Sequence, residues 1–347
     1  MTKWQISFVF FFGFFGGLLA FNIGVPMPFL LGGILGAASF ILWYEKDGRQ
    51  LPKLSRWVRL VFMSIIGTML GSKVSPEFLP LLPQFWPSVF ALVPFVLLAH
   101  AGGYAIMRFG GGYEKKDAYY AALPGGIVDT AALAEEAGAD LRVVTAQHFI
   151  RIILVVISVP VLFVIVTGEA VGSLAGESIS TGEAYNFSDL AIIVTIAFIG
   201  LLFGRATRLP VSHMLGPLFL SIYLTVTGTI ELDFPWWLSH LAQYMVGTAL
   251  GAQFSGISRK MLIRSLRMGL LAGIYMLALA VGFSLFLSNY VPTEFNVLFV
   301  SFAVGGLAEM SLIALSLNYN PVIVAMHHLA RIVLTVMCAH LFARRLL

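Results

Sequence analysis

The residues of this chain best suited to chemistry come in matched pairs. Asp129 ends the stretch Leu123-Pro124-Gly125-Gly126-Ile127-Val128-Asp129, and Glu309 ends Val304-Gly305-Gly306-Leu307-Ala308-Glu309. Paired glycines inside an apolar segment break a helix and free backbone groups. Within a bilayer such a break is tolerated only where protein or a water-filled cavity satisfies those groups. An acid three positions past the second glycine falls in the first turn of the helix that restarts. It is either a helix start favoured by the dipole or a carboxylate that carries a proton or cation across an apolar barrier. That the pattern occurs twice favours the second reading, with Gly125, Gly126, Gly305 and Gly306 offering backbone amides. His148 with Arg151, and His328 with Arg331, are spaced i, i+3 and share a helix face. Each Arg either locks the broken segment through an ion pair with the acid of that segment or binds an anionic substrate group, with His relaying protons.

The remaining polar residues carry less. Asp140 aligns with Asn320, which precedes Pro321, and both read as helix N-caps. Glu135 and Glu136 face Leu315 and Ser316 in the second copy and read as surface. His100, His213, His240 and His340 are unrepeated and read as packing residues, and His327 points away from its neighbour His328. The single cysteine, Cys338, forms neither an intramolecular disulfide nor a metal site. No metal and no cofactor is expected.

The elements that position these residues must sit in lipid. Of 347 residues, 59% are hydrophobic and 11% charged, against roughly a quarter charged in a soluble domain. Apolar runs reach 17 residues or more, long enough to cross a hydrocarbon core of about 30 Å. The formal charge of +4 comes from Lys and Arg in short loops beside these runs, as topology requires, and not from a basic module for nucleic acid. The basic, apolar start Met1–Ala20 lacks a small-residue cleavage motif and runs on into further spans, so it reads as a helix and not a signal peptide.

The chain also matches itself. Gly67-Thr68-Met69-Leu70-Gly71-Ser72-Lys73-Val74-Ser75 pairs with Gly247-Thr248-Ala249-Leu250-Gly251-Ala252-Gln253-Phe254-Ser255, five identities in nine at an offset of 180. The glycine breaks, the acids, the histidines and the arginines recur at that same offset. Phe14, Gly16, Leu18, Pro26, Leu31 and Gly32 fall on Phe198, Gly200, Leu202, Pro210, Leu215 and Gly216 at an offset of 184. Three patches at nearly one offset mark a duplication.

The pattern predicts apolar helices over about 4–21, 28–44, 57–73, 86–107 and 142–167, then 188–204, 213–229, 237–255, 268–289 and 322–343. Broken segments over 118–137 and 295–317 precede the last helix of each half. The expected fold is all-α and integral to the membrane: a first repeat at 1–167, a polar extracytoplasmic linker at 168–187 and a second repeat at 188–347. Basic clusters at Lys46–Arg59, Arg108–Lys116, Arg205–Arg208, Arg259–Arg267 and Arg344–Arg345 belong in the cytoplasm. With both termini there, ten helices span the bilayer, the broken segments are re-entrant and the repeats have inverted topology. The prolines and glycines of 26–36 and 210–217 read as tight packing, or else as a surface for a homodimer.

Together these features resemble the membrane AbrB family: the tandem pattern of Gly-Gly-x-x-acid, then His-x-x-Arg, with the Gly-Thr-x-Leu-Gly segment. The resemblance covers nearly the whole chain, in two copies. This family carries labels proposing an ammonia monooxygenase and a regulator of aidB expression, and shares only a name with the small DNA-binding AbrB. An oxygenase needs clustered His and carboxylate ligands, whereas the histidines here lie far apart in sequence, each beside an arginine. The expected protein is therefore no enzyme. It is a secondary transporter of a small metabolite, an anionic one suiting its arginines, coupled to protons or sodium in a bacterial cytoplasmic membrane. The alternative is a membrane sensor that affects gene expression without net flux.

Overall fold

The computed structural model describes residues 4–24, 27–47, 49, 51, 54, 56–74, 76–167, 187–209, 211–232, 234–317 and 319–346. Pro26, Pro210 and nearly all of the expected linker at 168–187 lie outside these residues, as does the side chain of Asp129. Fourteen α-helices and no strand occur among the described residues. The first half contains α1 (Trp4–Ile23), α2 (Pro28–Tyr44), α3 (Arg56–Ser72), α4 (Trp86–Ala105), α5 (Lys115–Ala121), α6 (Ile127–Glu136) and α7 (Leu141–Thr167). The second contains α8 (Phe187–Ala206), α9 (Ser212–Val226), α10 (Trp236–Gly251), α11 (Arg259–Leu287), α12 (Phe295–Phe302), α13 (Leu307–Ser316) and α14 (Pro321–Leu346).

Among the described residues, six stretches are long and apolar enough to cross a membrane: Trp4–Ile23, Leu82–Gly110, Leu141–Phe163, Asp189–Ala206, Lys260–Leu287 and Pro321–Ala339. The other four expected spans, α2, α3, α9 and α10, have 17, 17, 15 and 16 residues, or about 22–26 Å at 1.5 Å per residue. On α1, Phe8, Phe11, Phe15, Leu19 and Phe21 are exposed. An apolar face of that extent fits lipid and not water.

The chain forms two compact units, each drawn from both halves. The first comprises 1–80, 160–256 and 311–322 and holds α1–α3 and α8–α10. Its helices meet backbone to backbone through glycine. A β-carbon on Gly67 of α3 would overlap the Met214 carbonyl of α9, and one on Gly247 of α10 would overlap the Leu30 carbonyl of α2. One turn on, a β-carbon on Gly71 would meet Leu218 O at 2.6 Å and one on Gly251 would meet Ile34 O at 2.5 Å. The third helix of each half thus packs on the second helix of the other. Gly16 and Gly32 join α1 to α2 in the same manner, as Gly200 and Gly216 join α8 to α9. The small residues are therefore used up in packing within the chain, as in close-approach membrane helix pairs generally. Met27 and Val211, just before α2 and α9, both take left-handed backbone conformations, with φ of 49° and 47°. For such residues this geometry is uncommon, and here it occurs at matching positions in the two halves.

The second unit comprises 81–159, 257–310 and 323–347. Phe95, Phe283 and Phe302 tie α4, α11 and α12 together, with ring centroids 5.2–5.8 Å apart. Tyr119, Tyr120, Leu123, Ala134, Val144 and Ala339 form a second cluster beside the first-half break. One element differs from the sequence expectation. Residues 259–267, read as a basic loop, form the opening turns of α11, with the Ser258 side chain accepting from Met261 N at 3.3 Å. Arg and Lys are good helix formers, so a basic run does not end a helix.

Candidate functional site

Both glycine pairs interrupt helices at the expected places. α5 ends at Ala121 and α6 starts at Ile127; α12 ends at Phe302 and α13 starts at Leu307. The four new helix ends leave carbonyls and amides without intrahelical partners. Arginine takes the carbonyls. Arg151 donates from Nη1 to Leu123 O at 2.7 Å and from Nη2 to Gly125 O at 3.1 Å. Arg331 donates from Nη1 to Ala303 O and from Nη2 to Gly305 O, both at 2.8 Å. The contacts of one half are thus repeated, atom for atom, at the equivalent positions of the other. A buried cation at a helix C-terminus meets both the free lone pairs and the negative end of the dipole.

The histidines hold the arginines. Arg151 Nη2 reaches His148 Nδ1 at 3.0 Å, and Arg331 Nη2 reaches His328 Nδ1 at 2.9 Å. A guanidinium only donates, so each Nδ1 accepts and each Nε2 carries the proton. His148 Nε2 then donates to Tyr120 O at 3.1 Å, and His328 Nε2 to Val300 O at 3.2 Å. Both nitrogens of both rings are committed. A second proton on Nδ1 would break the contact with arginine.

Glu309 is buried in the first turn of α13, and its carboxylate lies back over Gly306, where a β-carbon would overlap it. Asp129 occupies the same turn of α6. The caps expected at Asp140 and Asn320 are present: Arg142 N donates to Asp140 Oδ1 and Val322 N to Asn320 Oδ1, each at 2.9 Å. The Arg142 side chain, hydrogen-bonded to Asp140, holds that carboxyl below the usual carboxylate range.

Sequence reasoning did not single out Thr335. It lies one turn beyond Arg331 on α14, its Cγ2 2.7 Å from where a Gly125 β-carbon would sit, and its Oγ1 is buried without a partner. At the other break Gly305 faces Val155 at 3.3 Å on α7. Thr335 and Val155 are themselves equivalent positions of the two repeats, and that equivalence is the signal that would have found them. Each broken segment thus packs against the last helix of the opposite half. Each guanidinium keeps a buried Nε without a partner.

An all-helical chain with long apolar helices, broken twice around buried ionisable groups, belongs to the membrane class of proteins. The profile of the AbrB family, described as transition state regulatory protein AbrB, matches residues 29–347, and the chain belongs to that family. It is 26% identical to protein YhjN of Bacillus subtilis (strain 168), over 92% of this chain and 88% of that protein. It is also 26% identical to AbrB of Escherichia coli (strain K12), whose name proposes a regulator, over 87% of this chain and 84% of that one.

Proposed function

We propose that this protein is a secondary carrier of a small metabolite, coupled to protons or sodium, built as an inverted repeat in a bacterial cytoplasmic membrane with both termini in the cytoplasm. The observation that carries this reading is the break built twice inside apolar segments, with its carbonyls clasped each time by buried arginine, and with the buried acid Glu309 at the helix that restarts after the second. Interrupted helices whose ends face each other are the usual means by which secondary carriers hold ions and substrates away from water. Glu309 and Asp129 carry the coupling ion. Gly125, Gly126, Gly305 and Gly306 let backbone amides approach the substrate. Arg151 and Arg331 shape the breaks, and His148 and His328 fix those arginines.

The name of the Escherichia coli relative favours a second reading, a membrane sensor without flux. The two readings meet where a carrier alters a metabolite level that controls expression. Purified protein in proteoliposomes separates them. Glu309→Gln is expected to lose coupled flux at least tenfold while keeping the wild-type elution profile and melting temperature. Absence of flux across a broad metabolite set and pH range, with Glu309→Gln silent in cells, would overturn the carrier.

A further inference from the structure

The two breaks share a backbone plan, yet their side chains differ in one consistent respect. Two side chains stand at each break: one five positions after the first glycine, the other on the last helix of the opposite half. At Gly305 these are Met310, with Sδ 2.5 Å and Cγ 2.6 Å from a β-carbon position, and Val155 at 3.3 Å. Both are apolar. At Gly125 the same two positions hold Thr130 and Thr335, both buried. The Thr335 hydroxyl lies 3.5 Å from the Gly125 β-carbon position and has no partner. Arg151 grips the Gly125 carbonyl while its Nε stays buried and unpartnered, as Arg331 Nε does at the other break.

A buried donor without a partner costs about 1–3 kcal/mol, and more when it is charged, so two beside one glycine imply a group that comes to meet them. The start of α6, with Gly126 at its N-cap, brings the positive end of a helix dipole to the same break. Arg Nε–H, a hydroxyl and helix-start amides all donate, and their complement is an oxyanion.

Resting on the carrier reading, we propose that the duplicated site is used at one break only. The Gly125 break binds the carboxylate or equivalent oxyanion of the substrate through Thr335 Oγ1, Arg151 Nε and the α6 amides. The Gly305 break, lined by Met310 and Val155, binds no substrate oxyanion.

Purified full-length protein would be titrated with acetate, propionate and succinate, with chloride as control, and binding read by thermal stabilisation and calorimetry. Thr335→Val, equal in shape and lacking the hydroxyl, is expected to weaken binding of the stabilising carboxylate about tenfold, with the ligand-free melting temperature at or above that of wild type. Thr335→Ser restores binding, and Val155→Thr leaves it at the wild-type level. Binding that ignores Thr335→Val, or depends equally on position 155, overturns the proposal, as does the absence of stabilisation by every carboxylate tested. Flux of the same radiolabelled carboxylate in proteoliposomes keeps the two ideas apart. Flux insensitive to Thr335→Val rejects the subsite and leaves the carrier, whereas Thr335-dependent binding without flux rejects the carrier and leaves the subsite.

Discussion

The arginines of the two breaks act first on backbone. Each guanidinium holds two carbonyls and one imidazole, a planar fork that lysine does not reproduce. Arg331→Lys is expected to cost roughly 3 kcal/mol, since hydrogen bonds to charged groups contribute about 1.5–3 kcal/mol each, and Arg151→Lys a similar amount. Thermal melting of both variants checks this; a normal melting temperature with lost activity would instead place the guanidinium on the substrate. The sequence marked these residues through their spacing, since i, i+3 pairs recurring at one offset in both halves point to one repeated contact. It did not reveal the acceptor. The acid of each broken segment is the partner that the sequence suggests for its arginine, and the structure adds the carbonyls at the glycine break as acceptors. Thr335 escaped notice because a threonine in an apolar helix is ordinary until Gly125 is seen lying against it.

At the scale of helices, the breaks were legible because Gly-Gly inside an apolar run is a strong local signal, and both pairs of short helices end where those glycines stand. Which helix packs on which was not. A glycine announces close approach without naming the partner, and the reciprocal contacts of Gly67 with α9 and of Gly247 with α2 come only from the folded chain. Replacing Gly67 or Gly247 by Val drives methyl groups into a facing carbonyl, and overpacking of this kind costs about 1–3 kcal/mol or more. Both variants should melt lower than wild type in detergent. Gly282→Val, where a β-carbon meets nothing within 4 Å, should not.

For the whole molecule, the sequence halves and the compact units are different divisions of the same chain, since each unit takes α-helices from both halves. If the halves run in opposite directions across the bilayer, single cysteines at Ser173 and Ser258, introduced after replacing Cys338, will label from opposite faces of sealed vesicles. Label reaching both from one face would exclude the inverted arrangement. The reciprocal glycine contacts also have a consequence for how the protein is made. Gly67 has no carbonyl to rest against until Met214 has been synthesised, about 150 residues later, which takes roughly 8–30 s at 5–20 residues per second. On the carrier reading, α3 stands in the bilayer during that interval with its small-residue face open to lipid or to other nascent chains. The insertion machinery must therefore shelter the first half until the ribosome delivers its counterpart, and a pause in translation between the halves would lower the yield of folded protein without changing a single residue.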